Sequence, residues 1–176
     1  METVFRGRVW KFGDNISTDL MMPGTETLGQ LGLKQEVDWQ AMARNCMQAN
    51  RPGWAELVQQ GDLLVAGRNF GCGSARPAPR FLKVLGISVV LAESIARVFL
   101  RNSVNLGFPA LICRGISPAV EEGDILEVDI SSGQVRNLRS GRTLEAEGFP
   151  QGSPPYDILM AGGLKPFLAR GGRQSS

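Results

Sequence analysis

The stretch DLLVAGRNFGCGSARPAPRFLKVLGISVVLA, residues 62–92, decides how this chain folds. DLLVA is a short apolar run of the kind that makes a strand buried on both faces. After the glycines the pattern predicts a helix over 77–85, because proline is tolerated in a first turn. Pro79 disfavours helical geometry at Ala78 and favours a start one step later. ISVVLA (87–92) then reads as a second buried strand. Strand, helix, strand at this spacing is a parallel crossover unit.

The unit continues. Glu93–Leu106 predicts a helix with Ile95, Val98, Phe99 and Asn102 on one side, closed by Gly107, and FPALIC a third core strand. Upstream, VFRGRVWKF alternates as a first strand, and GDNISTD after it is turn chemistry. From Gly24 to Gln60 the sequence is polar and irregular, with a predicted helix over 38–49 and a break at 51–53. Downstream, DILEVDI, QVRNL and TLEAEGF form an antiparallel meander. YDILMAGGLKPFLA predicts a closing helix, and 169–176 a disordered tail. The expected fold is α/β: one compact mixed domain over 1–168.

A chain of 176 residues with 43% apolar and 20% charged side chains suits one soluble domain. The net charge of +2 hides no block of like charges, so neither nucleic acid nor a membrane surface is an expected partner. No apolar run approaches a membrane span, and the start METVFRGRVWKFGDN lacks a signal peptide's apolar core. The expected location is therefore cytoplasmic. Cys46, Cys72 and Cys113 are far apart, with neither a disulfide framework nor metal-ligand spacing. The chain has no histidine, which excludes Ser-His-Asp and Cys-His catalysis within this polypeptide and every His-based zinc site.

The glycine turn fails the nearest familiar motifs. The dinucleotide fingerprint has Gly71 and Gly73 but Arg76 at its third glycine. A P-loop counted from Gly67 puts Cys72 at its second glycine, with no lysine after it. The nucleophile elbow fails because Ala75 follows Ser74 where glycine is required. Two readings remain open on the residues alone. One is an anion nest of backbone N–H groups ahead of a helix, with Arg76 as a planar fork for a carboxylate. The other is a tight turn with a capping serine and surface arginines.

Longer blocks resolve the choice by resemblance. Gly71–Arg76, Ala92–Arg97 (AESIAR) and Arg101–Gly107 (RNSVNLG) resemble the small-subunit, or swivel, domain of the aconitase superfamily, of the 3-isopropylmalate dehydratase type. GDNISTDLMMPG (13–24) and YDILMAGGLKPFL are similar to that family's other signature segments. Two departures stand out. The chain reads Ser74-Ala75-Arg76-Pro77-Ala78 where the family usually has Ser-Ser-Arg-Glu and then His or Gln. No basic residue follows Met22-Pro23 in PGTETLGQ, a loop tied to substrate choice.

The resemblance implies a swivelling β/β/α fold and one half of a hydro-lyase. Its partner would be a large subunit carrying a 4Fe–4S cluster, with no cofactor or metal bound by this chain. The implied substrate is a small hydroxy-dicarboxylic acid, 3-isopropylmalate in leucine biosynthesis, or a methylated malate, homoaconitate or citrate type. Ser74 becomes the expected catalytic base. Gly73, Ala75, Arg76, Thr18 and Asp19 become the expected substrate-binding residues. Thr18 and Asp19 also suit a plain capped turn. Arg97, Arg101, Asn102 and Asn105 are expected to brace the fold, and Cys72 to be a packing residue. A non-catalytic anion-binding module is the contrasting function.

Overall fold

The computed structural model describes residues 1–22 and 38–172. Its strands are β1 (Val4–Lys11), β2 (Leu63–Ala66), β3 (Val89–Ala92), β4 (Ala110–Ile112), β5 (Ile125–Asp129), β6 (Gln134–Asn137) and β7 (Thr143–Glu145). The helices are α1 (Thr18–Met21), α2 (Trp39–Ala43), α3 (Trp54–Leu57), α4 (Ala78–Leu85), α5 (Arg97–Asn105), α6 (Ile116–Ala119), α7 (Pro154–Met160) and α8 (Leu164–Ala169).

The strands join one mixed sheet in the order β4-β3-β2-β1-β5-β6-β7. β1 is its hinge. The first half of β1 pairs antiparallel with β5, from Val4↔Asp129 to Arg8↔Ile125. The second half pairs parallel with β2, from Val9↔Leu63 to Lys11↔Val65. The predicted parallel unit therefore sits beside the predicted meander, and β1 belongs to both. The sheet curls until its ends meet, where Glu147 N–H donates to the Ile112 carbonyl at 2.7 Å.

Alternation along the parallel strands splits the core in two. Trp10, Leu64, Ala66, Val90, Ala92 and Ala110 face α4 and α5, meeting Phe81, Leu82 and Phe99. Val9, Leu63, Val65, Val89, Leu91 and Leu111 face α6, α7 and the inner side of the meander. Burial on both faces is why these strands read as unbroken apolar runs.

Four expectations change. The helix predicted from Glu93 begins at Arg97, because 94–96 stays extended to pair with Phe70: Phe70 N–H donates to the Ser94 carbonyl at 3.0 Å, and Ala96 N–H to the Phe70 carbonyl at 2.8 Å. Val98, expected on the packed side of that helix, is 40% exposed. The helix predicted over 38–49 stops at Ala43 and continues as turns, with Met47 left-handed at φ +60°. The single closing helix is two, α7 and α8. They are separated at Gly162 and Gly163, where a Cβ on Gly163 would lie 2.8 Å from the Asn105 carbonyl oxygen. The N–H groups of Arg170, Gly171 and Gly172 donate to carbonyls of α8. Residues 173–176, and Pro23, Gly24 and the loop to 37, lie outside the described residues.

Candidate active site

In a parallel sheet, ligand sites form beyond the carboxyl ends of the strands. Here the ends of β1 and β2 are zipped together by their loops. Gly67 N–H donates to the Gly13 carbonyl (3.1 Å), Asn15 N–H to Arg68 (2.8 Å), Gly71 N–H to Ile16 (2.7 Å) and Thr18 N–H to Cys72 (2.8 Å). Side chains lock the same seam. Asp14 Oδ1 accepts from Arg68 N–H at 2.7 Å, Asn15 Oδ1 from the Asn69 amide at 2.9 Å, and Ser94 Oγ from Asn69 N–H at 2.8 Å. Asn15 and Asn69 both take left-handed backbone, φ +56° and +59°, which asparagine tolerates better than most residues. The sequence reading placed Asp14 and Asn15 in a turn but gave Asn69 and Ser94 no role. Their turn-forming residue types were the available signal.

The seam delivers two predicted groups to one place. Gly71 turns at φ +74°, and a Cβ there would lie within 2.6 Å of the Phe99 ring, so backbone and α5 approach as only glycine permits. The chain then presents Gly73, Ser74 and Ala75, all exposed. From the other loop, the buried Thr18 hydroxyl donates to the Ser74 carbonyl at 2.8 Å. Arg76 N–H donates to that same carbonyl at 2.8 Å. The Arg76 guanidinium reaches back to α1, donating to the Met22 carbonyl at 3.0 Å and pairing with Asp19 at 3.1 Å. The structure thus gathers Thr18, Asp19, Gly73, Ser74, Ala75 and Arg76 around one turn.

The Ser74 hydroxyl has no hydrogen-bond partner among the described residues. It does not cap α4 either, whose N-cap is Pro77. The helix is a weaker anion ligand than its position suggested. Pro77 and Pro79 carry no N–H, and Arg80 N–H is bonded to the Pro77 carbonyl, which leaves Ala78 as the one first-turn amide without a partner among the described residues. The groups left to offer positive potential at this turn are its own amides and Arg76, whose charge is shared with Asp19.

Beside the turn lies a shallow groove lined by Ala75, Pro77, Asn102, Asn105 and Leu106. Asn102 and Asn105 are partly buried there. Arg97 and Arg101 are exposed, with no salt bridge or hydrogen bond among the described residues, so the bracing role expected of them is not what the fold uses. α5 is held instead through Phe99, whose ring meets that of Phe70 edge-on with centroids 5.2 Å apart.

Among the described residues, no group of three His, Cys, Asp or Glu could hold a metal. Cys46 and Cys113 are buried, and burial pushes both thiols up, Cys113 to about 11. Cys72 is half-buried and contributes its carbonyl to Thr18. No described helix is long and apolar enough to cross a membrane.

Residues 27–112 match the Aconitase C-terminal domain family. The chain is 43% identical over 171 residues to the isopropylmalate/citramalate isomerase small subunit of Methanocaldococcus jannaschii, covering 97% of this chain and 96% of that one. It is 41% identical over 165 residues to the methanogen homoaconitase small subunit of Methanothermobacter thermautotrophicus, covering 93% and 90% respectively. The crystal structure of a 3-isopropylmalate dehydratase from Methanocaldococcus jannaschii superposes with a TM-score of 0.82 at 35% identity, covering 95% of this chain and 94% of that one. Near-complete coverage in both directions, together with a shared fold, places this chain in the 3-isopropylmalate dehydratase small-subunit family of the aconitase superfamily.

Proposed function

We propose that this chain is the small subunit of a two-subunit hydro-lyase that isomerises 3-isopropylmalate by removing and restoring water, and that Ser74 is its base. The observation that carries this reading is an exposed serine hydroxyl with no partner among the described residues, held beside Arg76 by a carbonyl that Thr18 anchors.

In the dehydration step, Ser74 Oγ takes the proton from the carbon next to a substrate carboxylate. The C–H electron pair becomes the carbon–carbon double bond as hydroxide leaves the neighbouring carbon. Rehydration reverses the step with the hydroxyl on either carbon. Serine is a very weak base at neutral pH, so its alkoxide needs positive potential, which Arg76 and the free turn amides supply. Arg76 keeps N–H donors beyond those given to Met22 and Asp19, and these bind the carboxylate. Asp19 acts through Arg76, fixing the guanidinium plane, and Thr18 fixes the peptide that carries Ser74.

This chain has no histidine to serve as the acid at the departing hydroxyl. The large subunit therefore completes the site, and an iron–sulfur cluster held there would supply Lewis acidity to that hydroxyl.

The test is co-purification with the cluster-bearing large subunit. The absorbance of the unsaturated acid is then followed with 3-isopropylmalate, citramalate and homocitrate as substrates. The complex should turn over 3-isopropylmalate, and the isolated chain should be inert. Turnover by the isolated chain, or none by the complex on any of the three, overturns the reading. The homoaconitase-type relative warrants the wider panel, since it is nearly as similar as the isomerase.

A further inference from the structure

α5 carries charges that work against its own stability. Arg97 is its first residue, where a cation meets the positive end of the helix dipole. Arg101 stands one turn on, so the two guanidinium groups form a like-charge i,i+4 pair. No acid occupies the first turn. The nearest acid upstream, Glu93, is spent elsewhere: its carboxylate accepts from Gly115 N–H and Ser117 N–H, both at 2.8 Å. Both arginines are exposed, with no ion pair among the described residues, and between them Val98 exposes 40% of its surface. Ser94, just ahead of α5, accepts from Asn69 N–H, and Asn102 and Asn105 of α5 line a groove with Ala75, so this surface adjoins the exposed Asn69 and Ala75.

We propose that the outer face of α5, Arg97–Val98–Arg101, is a docking surface for the large subunit, against a patch that is acidic around an apolar contact. The proposal rests on the two-subunit reading above and deepens it. A catalytic turn this exposed needs a partner to close over it, and the arginine-flanked valine is continuous with that turn. Cations that disfavour the isolated helix become favourable once an acidic partner covers them, and they steer the encounter.

The decisive variant is Arg97→Glu. It puts an acid at the helix start and creates a Glu-to-Arg i,i+4 pair with Arg101, so the isolated chain should melt about 1–3 °C higher. The same change should weaken association with the large subunit by at least about tenfold, and R97E/R101E by about a hundredfold. The salt dependence of binding should flatten in step. Turnover should recover at saturating small subunit, because neither arginine is assigned to the chemistry. Unchanged affinity in R97E overturns the docking surface alone. A lower melting temperature in R97E would make Arg97 an internal brace and overturns it too. Failure of the unaltered chain to bind any large subunit overturns the two-subunit reading itself.

Discussion

Ser74→Ala separates catalysis from architecture at a single atom. The structure uses the Ser74 carbonyl, which accepts from the Thr18 hydroxyl and from Arg76 N–H, both at 2.8 Å, and alanine keeps that carbonyl. The hydroxyl has no partner among the described residues, is exposed, and lies ahead of the α4 N-cap. The variant should therefore fold within ~0.5 kcal/mol of the original, less than the ~1 kcal/mol typical of a lost cap. If Ser74 Oγ is the base, turnover of the reconstituted complex should fall by ~10²–10⁴, or about 2.7–5.5 kcal/mol in the barrier. KM should move little, since Arg76 remains to bind the carboxylate. The assay pairs formation of the unsaturated acid with exchange of the substrate C–H proton in deuterated water, which reports the step assigned to this oxygen. Exchange at the original rate in Ser74→Ala would move the base to the large subunit and leave this turn a binding element. A stability loss well above 1 kcal/mol would refute the structural half of the reasoning.

Three further tests bear on the same framework. Arg76→Lys keeps the charge but cannot span Met22, Asp19 and a substrate carboxylate together; kcat/KM of the complex should fall by about 2–3 kcal/mol in transition-state terms, and an unchanged value would place the carboxylate elsewhere. Gly71→Ala combines a left-handed backbone at φ +74° with a collision against the buried Phe99 ring; it should cost about 2–5 kcal/mol in urea unfolding, and a cost below about 1 kcal/mol would mean the turn and α5 can separate. For Asp124, burial alone would raise the carboxyl pKa, but Glu121 N–H (2.9 Å), the Asn137 amide (2.7 Å) and Arg139 (2.6 Å) outweigh it and hold the group below its ordinary 3.8. Its stabilisation is thus present above pH ~4 and lost as pH falls through the depressed value, so the stability gap between the original chain and Asp124→Asn should narrow toward pH 2.

The ladder of strands and helices from 62 to 112 was legible in sequence because it is local: apolar runs of strand length alternate with a helical period, and glycines punctuate them. The glycine turn was legible for the same reason, as Gly71, Gly73, Ser74 and Arg76 lie within six residues. The small-subunit blocks supplied the function class by resemblance. Local pattern failed where long-range pairing took precedence. Residues 94–96 have helical company in sequence, but they pair with Phe70 and stay extended. Val98 follows the helical period of Ile95 and Phe99, yet it faces outward, because orientation is set by what α5 packs against. Most of the site's architecture belongs to that second kind. Thr18 and Ser74 are 56 residues apart and meet only because β1 pairs with β2 in parallel, which brings two strand ends, and so two loops, to the same edge. Hydrophobic pattern specifies which residues are buried and with what period. The pairing of distant strands decides which exposed side chains end up facing one another, and that choice placed Asp19 on Arg76 and left the Ser74 hydroxyl free among the described residues.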